Sequence, residues 1–267
     1  MTGTPLSRRD FLKLGGAALL ATVLPLRPSR QLPGQNDSSS TPILYHGSRL
    51  TPLVALTFDD CQLVTRLHML ENILNQHPET RITLFPVGNA LATVDYKDPG
   101  LWKRFYSKGH EFGYHSYYHD NLALYKPQEV VDDYDRWLAA LTQVLGTQPT
   151  VHFGRPPYNV ISEPFLYMCS QRGLVCTEYS IGGGGPADYV MNAIKKYQYG
   201  DIVQFHTREQ PDSQDMTSAS KAIPFFNEQG VQCVTLSRLY NDLLIEQNQS
   251  VGCSIETGAS LTRTCIE

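Results

Sequence analysis

The chain has 267 residues, 41% of them hydrophobic and 18% charged, and its 22 basic against 26 acidic residues leave a formal net charge of −4. That length suits one sizeable core with appendages rather than two independent domains, and the ordinary composition excludes a low-complexity or disordered chain. The slightly acidic balance offers no basic footprint for nucleic acid, so a polyanionic partner is excluded.

In chain order, residues 1–30 read as a targeting segment: Ser7-Arg8-Arg9-Asp10-Phe11-Leu12-Lys13 places paired arginines before a short apolar run, Leu14 to Leu26. This is the layout of a twin-arginine export signal, and the run falls short of the ~20 residues needed to span a bilayer. An extracytoplasmic location follows, periplasmic, envelope-bound or secreted, with no transmembrane domain beyond the signal. No clean Ala-x-Ala follows the run, so an uncleaved anchor stays open. Residues 31–45, rich in Ser, Pro, Gly, Asn and Gln at their start, read as a flexible linker.

From Leu53 onward, short apolar runs alternate with helix-like stretches. Strands are predicted at Val54–Phe58, Ile82–Val87, Glu111–Tyr114, Val151–Phe153, Leu174–Glu178, Ile202–Phe205 and Gln232–Thr235. Between them, helices are predicted at Gln62–Gln76, Leu101–Lys108, Pro127–Leu145, Ser162–Arg172, Ala187–Lys196 and Ser218–Gln229, with a last one at Leu236–Glu246; Gly182–Gly185 reads as a loop. The alternation predicts an α/β fold with a parallel sheet under helices, open or closed into a barrel. The main domain is placed at 46–246, and 247–267 form a Cys-containing tail.

Six cysteines fit an oxidising compartment. Cys253 with Cys265 is the easiest pairing, worth about 3 kcal/mol for the tail it would close; Cys169 with Cys176 and Cys61 with Cys233 are weaker candidates, against the plain alternative of buried thiols.

The polar residues fall where such a fold gathers them. Asp59 and Asp60 end the first long strand, Arg155 and His206 end later ones, and His115 follows the short strand at 111–114; in a parallel barrel those ends converge on one face. His115 and His119, four apart, would share one side of a helical turn and, with one aspartate, supply three ligands to a Zn²⁺-like ion with a position open for water. The other aspartate is then free to act as general base. Alone, an Asp-Asp pair is more often a helix cap and two spaced histidines a solvated face; together they favour ligation. Cys61 is not expected to ligate. Arg155, in Gly154-Arg-Pro-Pro-Tyr158, is held by two prolines so that its guanidinium can clamp a carboxylate. His206 could protonate a leaving group if a carboxylate keeps it charged.

In this order the motifs resemble those of the polysaccharide deacetylase family, carbohydrate esterases sharing the NodB-homology domain. Thr57-Phe-Asp-Asp60, Gly109-His-Glu-Phe-Gly-Tyr-His115-Ser-Tyr-Tyr-His119, Arg155-Pro-Pro-Tyr158 and Asp201-Ile-Val-Gln-Phe-His206 look like four of its motifs, spread from Leu53 to Leu244. The resemblance implies a distorted (β/α) barrel and a divalent metal, usually Zn, with Co, Ni or another divalent ion as alternatives. It implies hydrolysis of N-acetyl groups on a glycan polymer such as peptidoglycan or chitin-like material, or of O-acetyl groups on xylan; a non-catalytic glycan-binding barrel is a third reading, and a monomer is expected. Carried over by position, it makes Asp59 the base, Asp60, His115 and His119 the metal ligands, and Arg155 the residue orienting Asp59. Tyr158 would give a backbone N–H to the oxyanion, and His206 would be the acid. Cys61 and Asn159 stand where the family commonly has glycine, and Tyr114 where it has a small polar residue, which would alter the pocket rim. The fourth motif is matched by Asp188-Tyr189, making Asp188 the partner of His206, with Glu178 as the alternative.

Overall fold

The computed structural model describes residues 41–208 and 214–256; the expected signal segment and Cys265 lie outside them. The chain begins with β1 (Ile43–Leu44), β2 (Leu53–Asp60), α1 (Val64–Gln76), β3 (Thr83–Pro86), α2 (Gly88–Lys97), α3 (Leu101–Ser107), β4 (Glu111–Phe112) and α4 (Pro127–Leu145). It continues with β5 (Phe153–Gly154), α5 (Glu163–Arg172), β6 (Val175–Thr177), β7 (Ile181–Gly182), α6 (Ala187–Ile194), β8 (Ile202–His206), α7 (Asp215–Glu228), β9 (Gln232–Val234) and α8 (Leu236–Glu256).

Every strand pairing among the described residues is parallel. One sheet runs β4-β3-β2-β8-β7 with β9 also on β2, a second runs β1-β6-β5, and a single bridge between Tyr114 and Gly154 ties them together. The result is a distorted (β/α) barrel. β2 is its spine: all eight residues are buried, as a parallel strand covered on both faces requires. Its first half pairs with β9 and its second half with β3, while β8 runs alongside from Ala55 to Asp59. That register sets Asp59 opposite His206 and Asp60 opposite Pro86.

Local chemistry explains the amphipathic helix α4. Pro127 opens α4, the Glu129 carboxylate accepts the Lys126 N–H at 2.8 Å, and Gly146 ends it with φ 72°, so both ends are capped. Its buried face carries Tyr134, Trp137 and Leu141, and the Trp137 indole donates to Pro86 O at 2.7 Å, fastening the helix beneath the C-terminal end of β3.

Several boundaries differ from expectation. β1 lies inside the stretch read as linker; its two residues add a strand to β6, and Cys176 N–H donates to Pro42 O. α2 has no sequence-predicted counterpart, because it starts directly after β3 with no polar cap, yet it buries Leu91 and Val94. α7 begins at Asp215 rather than Ser218, and α8 extends through Glu256, into the expected tail. Cys61, Cys169, Cys176 and Cys233 are free, buried thiols. The pairings Cys169–Cys176 and Cys61–Cys233 are therefore corrected: the four pack as small hydrophobes, and burial raises the Cys176 and Cys233 thiols to about 12. The remaining pairing, Cys253 with Cys265, falls outside the described residues at its second member.

Candidate active site

Asp59 and Asp60 end β2, and the chain turns sharply just there. Asp60 has φ 66° and Cys61 φ 53°, so the strand's alternation breaks and both carboxylates reach the same end of the barrel. Among the described residues, the non-glycine residues with positive φ are Asp60, Cys61, Ser116, His119, Tyr158 and Asn159. All six lie in the three motif loops, and backbone strain gathered in this way is characteristic of functional sites. Cys61 and Asn159, which stand where the resembling family has glycine, hold the left-handed conformation that explains a glycine there.

His115 and His119 do not sit on a helical turn. They lie in an irregular loop after β4, whose left-handed residues Ser116 and His119 bend it back on itself, and Ser116 Oγ accepts the His119 N–H at 2.8 Å. The ring centroids are 5.1 Å apart. His119 Nε2 stands 3.0 Å and His115 Nε2 3.6 Å from Asp60 Oδ1. On its far side His115 Nδ1 meets Arg155 O at 2.8 Å; donation to that carbonyl leaves the Nε2 lone pair free to ligate, the usual outer support of a ligating imidazole. The three residues offer ligand atoms within 4.8 Å of one another.

That donor set fits a divalent cation. Asp60 is fully buried, yet neither of its oxygens receives a well-formed hydrogen bond, the Arg208 guanidinium at 3.1 Å from Oδ2 included, and a buried carboxylate without hydrogen bonds is costly. Burial alone would raise its pKa; the facing imidazoles of His115 and His119 outweigh that and hold Asp60 well below the usual carboxylate range. An anion kept ionised against two nitrogen donors is what a cation of the Zn²⁺ class would use.

Asp59, one residue earlier, accepts a hydrogen bond on each oxygen instead. Arg155 Nη1 donates to its Oδ1 at 2.8 Å and Gln204 Nε2 to its Oδ2 at 2.6 Å. Arg155 is itself fully buried, donating also to Thr57 Oγ1 and Glu178 O and stacking over Phe85 at 4.5 Å. Burial opposes ionisation of Asp59, but Arg155, with His115 and His206, brings its pKa below the normal value. Breaking a buried pair of this kind by removing one partner costs about 3–5 kcal/mol.

His206 ends β8 beside Asp59, and its carboxylate partner is Asp215. Asp215 Oδ2 accepts the His206 backbone N–H at 2.8 Å and lies 3.3 Å from Nδ1, while Oδ1 accepts the Gly184 N–H at 2.7 Å. Burial raises the Asp215 pKa, and these contacts more than compensate, leaving it lowered. The expected partner Asp188 is corrected: its side chain is 94% exposed and faces Lys221 at 3.4 Å. Glu178, the alternative, is buried with Oε1 unpartnered and makes no bond to His206; burial raises its carboxyl to about 7. Asp215 was hidden in sequence because it opens a helix nine residues after the histidine. The glycine run gives the only hint: a Cβ on Gly183 would press on Gln204 O and Asp215 Oδ1.

A small cavity of about 70 Å³ joins these groups, lined by Asp59, His115, His119, Tyr158, Asn159, Gln204, His206 and Arg208. Tyr158 is 60% exposed and its ring meets His119 edge-on at 4.6 Å. Tyr114 takes no part in the rim. It is buried against Tyr134, Trp137 and Phe165, with its hydroxyl donating to Asp133 at 2.5 Å. Gln204, Asp215 and Arg208 were absent from the sequence-predicted set.

Residues 46–177 match the model of the polysaccharide deacetylase family. Over those residues the chain carries a polysaccharide deacetylase domain. Residues 5–25 match the twin-arginine translocation signal, which marks the protein for export, and no helix among the described residues is long and apolar enough to cross a membrane. Over 193 residues the chain is 28% identical to a peptidoglycan-N-acetylglucosamine deacetylase of Bacillus cereus, covering 70% of this chain and 68% of that protein. It is 27% identical over 164 residues to a bifunctional xylanase/xylan deacetylase of Cellvibrio japonicus, covering 60% of this chain and 24% of that one. The fold is similar to the Bc1960 peptidoglycan N-acetylglucosamine deacetylase, with TM-score 0.66 and 26% identity over 75% of this chain and 94% of that one. It is equally similar, at TM-score 0.66 and 19% identity, covering 76% and 70%, to a family pseudoenzyme of Bacillus anthracis. The fold thus hosts active and inactive members, and activity must be argued from the site.

Proposed function

We propose that this chain is an exported, metal-dependent hydrolase that removes N-acetyl groups from a glycan polymer, peptidoglycan or chitin-like. The observation that carries the reading is the division of labour between adjacent carboxylates: Asp59 oriented by Arg155 and Gln204, Asp60 left facing two imidazoles. Asp60, His115 and His119 would hold a divalent ion of the Zn class, which when bound supplies Lewis-acid polarisation of the acetyl carbonyl and of water.

The chain's own residues do the rest. Asp59 accepts the proton of the attacking water, and Arg155 and Gln204 fix the orientation of its carboxylate. The Tyr158 backbone N–H would stabilise the oxyanion that develops on the carbonyl oxygen. His206, oriented by Asp215, protonates the departing amine nitrogen, without which a C–N bond does not break readily. The partners are acetylated glycans, and the domain spans about 41–256 of the chain.

Metal-loaded protein given N-acetylglucosamine oligomers is expected to release acetate, with chelation or Asp59→Asn abolishing it; acetate release indifferent to both refutes the proposal. An O-acetyl esterase reading is separated by His206→Ala, which should cripple amide hydrolysis much more than ester hydrolysis, since an alkoxide departs with less help.

A further inference from the structure

Arg208 stands two residues beyond His206 and is used by nothing in the reading above. Its Nε lies 3.1 Å from Asp60 Oδ2, its side chain is 29% exposed, and it lines the same cavity as Asp59 and His206. The two oxygens of Asp60 are therefore divided: Oδ1 faces His115 and His119, and Oδ2 faces a guanidinium.

A guanidinium on one carboxylate oxygen has two consequences. Lying 3.1 Å from Oδ2 outside hydrogen-bond geometry, it crowds the oxygen that would otherwise be a second donor. It also sets a fixed positive charge one carboxylate away from the place where a divalent cation would sit, in a buried setting where like charges repel strongly. Both effects oppose tight binding.

We propose that Arg208 sets the cation affinity of Asp60, leaving Oδ1 as the donor oxygen and keeping the metal weakly held and exchangeable. The proposal rests on the cation site proposed for Asp60, His115 and His119, and extends it to what controls occupancy.

The full chain, stripped of metal, can be titrated with Co²⁺ by calorimetry while the visible d–d absorption is recorded, for the parent and for Arg208→Gln and Arg208→Lys. Arg208→Gln should bind Co²⁺ about 10-fold more tightly and with an altered d–d spectrum, because Oδ2 becomes available. Arg208→Lys, which keeps the charge, should stay within about threefold of the parent affinity. Equal affinity and spectrum for the parent and Arg208→Gln, or weaker binding by Arg208→Gln, overturns the proposal. Failure of the parent to bind Co²⁺ overturns instead the cation site on which it rests. Thermal melts of the metal-free proteins identify a misfolded variant, for which Arg208→Met then takes the place of Arg208→Gln with the same expectation.

Discussion

Asp59 and Asp60 stand on two flanks of one cavity in opposite electrostatic settings. On the Asp59 flank every charge is answered from within the protein: Arg155, Gln204 and Thr57 form a closed, buried network anchored to Glu178 O. On the Asp60 flank the charge is left unanswered by hydrogen bonds, and two ring nitrogens are aimed at it. The lesson is that a site of this kind is built from contrast. A base must be oriented and ionised without an external partner, whereas a ligand must be ionised and kept unsatisfied.

The contrast breaks most visibly by exchanging the two carboxylates for amides in turn. Asp60→Asn should abolish divalent-ion binding and turnover together. Asp59→Asn should keep ion binding within about threefold while turnover falls by about 10²–10⁴. Calorimetric titration alongside acetate assays measures both, and parallel loss of binding in the two variants would erase the division.

A smaller effect sharpens the far side of the cavity. Asp215→Asn should reduce amide hydrolysis about 10- to 100-fold, with a shallower loss on acetyl esters, because it removes the carboxylate that orients the His206 ring. Asp188→Asn, on an exposed side chain, should leave both rates within about twofold. Equal losses on amide and ester substrates would show that Asp215 serves the fold rather than the acid.

The smallest effect is on stability. The Glu178 carboxyl, raised by burial to about 7 from an ordinary 4.5, stays protonated in the folded state over a range where the unfolded chain has released its proton. The folded protein then binds more protons, so stability is greatest below pH 4.5 and falls as pH rises through 7, by an amount on the order of 3 kcal/mol for this group. Glu178→Gln should flatten that decline between pH 5 and 8 in denaturant melts of the metal-free protein. An unchanged slope would place the side chain in contact with water or charge.

How much of this was legible in the sequence differs between the two flanks. Asp59, Asp60, His115, His119 and Arg155 sit in short motifs whose residue types announce chemistry, and the parallel topology brings together strand ends some hundred residues apart. The helical spacing of the two histidines, however, was a misleading cue: a loop with left-handed residues at Ser116 and His119 presents them. Gln204 was invisible because it sits inside an apolar strand with nothing to distinguish a site-facing amide from a buried one. Asp215 and Arg208 follow β8 outside any motif, and only the packing of α7 against the glycine turn shows where the Asp215 carboxylate points.

What the sequence alone determined was the alternation of strands and helices, the export signal, and the identity of the acid, imidazole and guanidinium groups, because periodicity and short-range motifs are local properties of the chain. Tertiary structure decided which carboxylate answers which cation, that four cysteines stay reduced, and that His206 leans on Asp215 instead of Asp188. Those outcomes depend on burial and on distances of a few ångströms between residues remote in the chain, and desolvation in that interior is what turns such proximity into function.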